Sequence, residues 1–390
     1  MSWIDRACAW FWNRVAISSR TPSTGLGVLR IATGLFFLVW YMPVRRWVGE
    51  APPAFFNPPP ISLARLFSGF PPEAVMVAAD VVAVALACLI VVGVKARSCT
   101  IALTVLSIAG NVFVYAFGKI DHDILLYVLL GCMAFSGWGG QLAWLPDRPH
   151  RSDAPERSLA LLAVCIAFAM FSAGFEKAIF WVDLDLQTGG FLSWFYTGYF
   201  DLDRRHLLAP LVLTLPPSLF ELADYAAVVF ELGALPALLI GPLAWRTWLL
   251  GACLFHLTST LLLNISFDAH FLPLIAFVDF SRVQAALHKL GRQQLARSLG
   301  VAAVMVIGMI HLLANGQEQL LLLGTDPGNR TGAALCLATV LWVVATAFMA
   351  RTLLDRWRGA YRQPREFRPA PGPPPTISSE PSGASQRIAR

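Results

Sequence analysis

The feature that most constrains the fold of this chain is a succession of apolar runs, each close to the length that crosses a bilayer. A helix rises about 1.5 Å per residue, so roughly 20 apolar residues cover the ~30 Å of hydrocarbon in a membrane. Runs of this kind lie at 25–42, 74–94, 99–118, 124–140, 158–179, 217–240, 245–264, 268–281, 298–314 and 331–350. They predict an all-α polytopic transmembrane bundle of about nine or ten spans, the eighth run being short enough for a half-helix or re-entrant piece. Composition agrees: 56% of the 390 residues are hydrophobic and 14% charged, whereas a soluble chain carries about 25% charge.

Cationic residues then set an expected orientation. With the N-terminus cytoplasmic, Arg6, Arg14, Arg20, Arg97, Arg157, Arg246 and Arg356 fall on the inner side, and the outer side receives fewer, chiefly Arg45, Arg46, Arg65, Arg204 and Arg205. The excess of positive charge inside predicts that both termini are cytoplasmic. The net charge of +6 and pI of 9.1 accordingly signal topology and attraction to anionic membrane lipid rather than a nucleic-acid partner. Arginine outnumbers lysine 26 to 4, which points to a GC-rich bacterial source and a cytoplasmic membrane.

Outside the spans, residues 1–20 read as an interfacial amphipathic helix, with Trp3, Trp10 and Phe11 near one face and no uninterrupted apolar core for a cleavable signal. Residues 359–390 are rich in proline and poor in large apolar side chains, so disorder is expected there. Two longer segments on the presumed outer side, about 43–73 and 180–216, are aromatic; the second suits a lid over a lipophilic ligand. The seven cysteines stand singly and read as packing residues, with no metal site predicted. No internal repeat supports inverted transporter halves.

Ionisable residues inside hydrocarbon cost roughly 2.5–3.5 kcal/mol each on insertion scales, so each needs a partner, water or a function. Lys177 ends the run "SLALLAVCIAFAMF" plus one turn, beside Glu176. Adjacent helical residues point about 100° apart, so these two are not natural partners. Lys177 either snorkels to the headgroups or sits buried; burial favours a neutral amine, and a facing carboxylate opposes that. Glu221, Asp224 and Glu231 share one helical stripe, Glu221 and Asp224 suiting a helix start and Glu231 suiting a buried cation. His122 lies between Asp121 and Asp123 at a span mouth, as a cap, a ligand or an acid–base group. His256, with Thr260 and Asn264 on later turns, and His270, after Asp268, add imidazoles that a shared polar cavity would accommodate.

The segments "GKIDHDILLYVLLGCMAFSG", "MFSAGFEKAIFWVDLDLQTGGFLSWF", "FELGALPALLI" and "FHLTSTLLLNISFDAHFLPLIAFVDF" together resemble the membrane domain of the vitamin K-dependent gamma-carboxylase superfamily, also called HTTM proteins, over roughly residues 20–285. That resemblance implies a transmembrane domain over 21–285; the two further hydrophobic runs beyond it read as additional transmembrane helices at 286–358. In the family, the lysine after "AG" deprotonates a reduced naphthoquinone, such as vitamin K hydroquinone or menaquinol, whose reaction with oxygen yields an epoxide and a strong base. Matched onto Ala173–Gly174–Phe175–Glu176–Lys177, it implies Lys177 as the base, with His122 and His256 as hydrogen-bond donors toward the quinone oxygens. Glu231, Glu176, Asp123, His270, Trp181 and Asn264 are then expected to line the substrate cavity, with a lipophilic small molecule and a protein or peptide as possible substrates. Glu176 stands where the eukaryotic carboxylase has a second lysine, and the large lumenal substrate-binding domain has no counterpart here. A non-catalytic lipid or quinone binder, or a partner in export or maturation of another protein, is the rival expectation.

Overall fold

The computed structural model describes residues 2–41, 45–118, 123–148, 152–182, 189–289 and 332–362, and among them every extended element is helical. In chain order these are α1 (Trp3–Ser19), α2 (Leu26–Val39), α3 (Arg46–Gly49), α4 (Glu73–Val92), α5 (Ala96–Val114), α6 (Ile124–Met133), α7 (Ala154–Phe180), α8 (Gly190–Tyr196), α9 (Ala209–Val212), α10 (Pro217–Leu232), α11 (Ala234–Ile240), α12 (Pro242–Leu263), α13 (Phe271–Ile275), α14 (Ser281–Lys289) and α15 (Gly332–Arg362). The boundaries follow local chemistry. Proline occupies the first turn of α7, α10 and α12, where its missing N–H has no intrahelical partner to lose. Gly93, at φ +77°, closes α4 in the left-handed conformation that side chains disfavour. The start of α1 is a reciprocal cap: the Asp5 amide donates to the Ser2 hydroxyl at 3.1 Å, and the Ser2 amide to the Asp5 carboxylate at 2.8 Å.

Five helices among the described residues are long and apolar enough to cross a membrane: Glu73–Val92, Ala96–Phe117, Ala154–Phe180, Pro242–Leu263 and Ala334–Arg358. Two bent pairs, Trp3–Ser19 with Ser23–Val39 (55°) and Pro217–Leu232 with Ala234–Ile240 (45°), raise the total to seven if each is one broken span. The architecture fits an integral membrane protein; the described residues give five to seven candidate spans, and the expected nine or ten are not confirmed. The run 124–140 yields only the ten-residue α6, because Gly137 and Gly139–Gly140 interrupt it, and 268–281 yields the five-residue α13. The run 298–314, with His311, lies outside the described residues. The expected interfacial segment is α1, which packs on α7, α11 and α12 while Trp3, Trp10 and Trp12 remain exposed. At the other terminus α15 continues to Arg362; 363–390 lie outside the described residues.

Four arginines of the group expected on the inner side, Arg14, Arg20, Arg246 and Arg356, meet at neighbouring helix ends. Arg246 of α12 donates to the Arg20 carbonyl at 2.9 Å, Arg356 of α15 donates to the same carbonyl, and Arg20 pairs with Glu156 of α7 at 3.0 Å. Arg14 donates to the Leu239 and Ile240 carbonyls at the end of α11. Arg30, fully buried, donates to the Val91 and Leu142 carbonyls at 3.0 and 2.7 Å, tying α2 to the end of α4 and the loop after α6. Multiple carbonyl acceptors are what make a buried guanidinium tolerable. The opposite end gathers the C-termini of α7 and α12 and the N-termini of α10 and α15. There α12 ends at Asn264 in the left-handed conformation, and its side chain receives the His206 amide at 2.8 Å and donates to the His206 carbonyl at 3.1 Å.

The aromatic segment expected as a lid is itself partly folded. Leu192, Phe195, Ala209, Val212 and Phe220 form a small core of their own, with Phe191 stacked on Phe220 at 5.0 Å. Residues 183–188 lie outside the described residues.

Candidate functional site

Lys177 belongs to the last turn of α7, and its side chain turns inward. Its ammonium pairs with Glu231 of α10; the two side chains are 21% and 2% exposed. Two rings flank the amine, Trp181 at 5.1 Å from the same helix end and Phe255 of α12 at 5.8 Å. The close approach is permitted by Gly174, one turn before the lysine, which lies directly against Glu231. Trp181 rests on Gly190, the first residue of α8, where any side chain would collide with the indole. Lys177, Trp181, Glu231 and Phe255 therefore form one unit built from three helices, and Glu231 is the facing carboxylate that the helical stripe of α10 implied.

Next along α12, His256 is buried and its ring lies 5.6 Å from Phe255. His270, just before α13, brings its Nδ1 to 3.2 Å from His256 Nε2. Trp342 of α15 packs on His256 at 4.8 Å and donates its indole N–H to the Ser266 carbonyl at 2.6 Å. The two imidazoles that sequence placed separately are thus a hydrogen-bonded pair, roofed by a tryptophan from the C-terminal helix.

Asp123 is held elsewhere, in a third polar group. Its carboxylate receives the Tyr41 hydroxyl at 2.5 Å, the Tyr127 hydroxyl at 3.2 Å, the Asn111 amide at 2.8 Å and the Tyr115 hydroxyl. Arg45 extends this network, donating to Asn111 at 3.1 Å through its side chain and to Asp80 at 2.7 Å through its backbone amide. A carboxylate saturated by four donors from α6, from α5 and from the segments just past α2 and α5 is a joint between helices. It is not isolated from the histidines: rings pass contact from Tyr41 to Phe36 (6.2 Å), Phe271 (6.1 Å), Trp342 (5.9 Å) and His256 (4.8 Å).

The structure separates other candidates from the amine. Glu176 is exposed on the outward side of α7 and does not join the cluster, as the 100° divergence from Lys177 requires. Asn264 closes α12 and secures the His206 backbone. Asp224 does not serve the start of its own helix; its carboxylate accepts the Phe191 amide at 2.9 Å and so caps α8 across the helix interface. His122 and Asp121 lie outside the described residues. Among the described residues, no group of three His, Cys, Asp or Glu side chains is arranged to hold a metal ion. The residues missed by sequence reasoning are chiefly aromatic, Phe255, Trp342 and the three tyrosines around Asp123, together with Asn111. Only Tyr127, one turn after Asp123, carried a spacing signal.

Comparison of the chain with protein-family models, with curated proteins and with solved structures finds no match.

Proposed function

We propose that this chain is a membrane-embedded enzyme of the gamma-carboxylase type, with Lys177 as a base acting on a lipophilic hydroquinone. The observation that carries the reading is the position of the Lys177 amine: it faces inward onto Glu231, between the rings of Trp181 and Phe255, instead of reaching for the bundle surface. The surroundings fit a planar diol. Glu231 Oε2 is buried without a hydrogen-bond partner, a waiting acceptor, and the two rings offer aromatic faces beside it. A reduced naphthoquinone bound there would supply an acidic hydroxyl and the electrons for reaction with oxygen.

The remaining roles belong to the protein. Lys177 would take the proton of the substrate hydroxyl, leaving an ammonium beside the quinolate, with Glu231 as the carboxylate that holds the amine in place. His256, fixed by its hydrogen bond to His270, and His122, by the resemblance, serve as hydrogen-bond donors to quinone oxygens. Membrane lipid and a protein or peptide acceptor complete the set of partners, in a bacterial cytoplasmic membrane with both termini inside.

A second reading is favoured by the same ion pair. Glu231 already answers the charge of Lys177, as suffices for a non-catalytic protein whose polar residues knit helices around a bound lipid or quinone. Oxygen uptake and epoxide formation by the purified chain in lipid nanodiscs, with menaquinol or vitamin K hydroquinone, separate the two. Lys177→Arg keeps the charge but removes the base and should lower turnover by about 10²–10⁴. Absence of uptake in the wild-type protein would leave the binding reading standing.

A further inference from the structure

Three guanidiniums meet at the end of α1 with too little negative charge among them. Arg246 of α12 and Arg356 of α15 donate to one oxygen, the Arg20 carbonyl, so their donor nitrogens stand no more than about 6 Å apart, twice a hydrogen-bond length. A carbonyl satisfies a donor but does not neutralise a charge. Of the three arginines, only Arg20 has an ion-pair partner among the described residues, Glu156 of α7 at 3.0 Å. Arg246 is fully buried, and its Nε and Nη1 have no hydrogen-bond partner. Asp279 acts on Arg246 and Arg356 without reaching ion-pair distance of either. Three cations against these two acids leave one positive charge, and cations this close together call for an anion.

Two of the arginines are open to a ligand. The Arg20 side chain is 72% exposed and spends only its Nε on Glu156. Arg356 is half-buried, with one terminal nitrogen on the Arg20 carbonyl. Arg246 lies behind them and supplies charge rather than contact. The depth of the group along the spans identifies the layer it occupies. Arg246 is in the second turn of the candidate span Pro242–Leu263, and Arg356 is in the last turn of Ala334–Arg358, where hydrocarbon gives way to headgroups. Ile17, within one turn of Arg20, and Leu354 and Trp357, flanking Arg356, are exposed apolar surface of the kind acyl chains cover.

We propose that Arg20 and Arg356, backed by the charge of Arg246, bind the phosphodiester headgroup of an anionic membrane lipid. A phosphodiester carries one negative charge and presents its oxygens to the planar donor fork of arginine. Basic pockets between transmembrane helices hold headgroups in this way. The site does not depend on catalysis at Lys177: Glu156 and Lys177 are far apart on α7, about 31 Å of helix rise.

The test is thermal unfolding of the full chain in detergent, titrated with dioleoylphosphatidylglycerol against dioleoylphosphatidylcholine, whose headgroup is zwitterionic. Wild-type protein should be stabilised by phosphatidylglycerol beyond phosphatidylcholine, and the excess should shrink as salt rises. Arg20→Gln and Arg356→Gln should each weaken the apparent affinity for phosphatidylglycerol by about tenfold, the value of one charge-assisted hydrogen bond. Arg65→Gln removes the same charge from an exposed position before α4 and should respond like wild type. Should Arg356→Gln fail to fold, Arg20→Gln, a change at an exposed side chain, decides alone. Equal responses to the two lipids, wild-type affinity in the Arg20 and Arg356 variants, or an equal loss in Arg65→Gln would overturn the proposal. So would glycerol 3-phosphate stabilising the chain as well as the lipid does, since the soluble anion alone would then account for the site.

Discussion

Gly174 of α7 lies so near Glu231 of α10 that a Cβ placed on it would stand 2.8 Å from the Glu231 Cβ. This contact sets the spacing at which Lys177, one turn later, reaches the carboxylate. Gly174→Ala forces the helices apart and should cost about 1–3 kcal/mol, the usual penalty of overpacking. Thermal unfolding of the purified protein measures it, and an unchanged Tm would mean that the helices do not meet so closely.

The Lys177–Glu231 pair should be strongly coupled. Removing one partner, as in Lys177→Met or Glu231→Leu, leaves the other charge buried alone and should destabilise by about 3–5 kcal/mol. The double variant should recover most of that loss, since neither charge then remains. A double-mutant cycle in denaturant reads the coupling directly; additive losses would show that the two groups do not meet.

Asp123 gathers Tyr41, Tyr115, Tyr127 and Asn111 on one carboxylate. Asp123→Ala deprives all four donors at once and should lower stability by at least about 3 kcal/mol, whereas Tyr115→Phe, losing one charged hydrogen bond, should cost roughly 1.5–3 kcal/mol. Unfolding midpoints of the two variants test the order: Tyr115→Phe must be the milder.

Trp342 joins the C-terminal helix to the histidine pair through its indole N–H on Ser266 and its face on His256. Trp342→Phe keeps a ring but loses the hydrogen bond, for about 1 kcal/mol; Trp342→Ala opens a cavity and should cost about 3–5 kcal/mol. If α15 were peripheral to the site, both substitutions would leave the Tm within error of wild type.

Much of this was readable one helix at a time. The stripe of Glu221, Asp224 and Glu231 follows from helical period, and all three are buried. The divergence of Glu176 from Lys177 follows from the same 100° step, and Glu176 is exposed. What a single helix could not reveal is which element its stripe would meet. Asp224 suited the beginning of its own helix by charge, yet it caps α8. His256 and His270 were two separate histidines until the turn after α12 folded back and brought their nitrogens to 3.2 Å.

By itself the sequence determined a helical, membrane-compatible chain, the faces on which its acids and its lysine would lie, and the breaks at Gly and Pro, because these depend on local length, hydropathy and the rise of one helix. Only the tertiary structure decided that Glu231 answers Lys177, that tyrosines enclose Asp123 and that Trp342 covers the histidines. Those choices depend on the rotation and closest approach of helices distant in sequence, set by where glycines allow two backbones to touch.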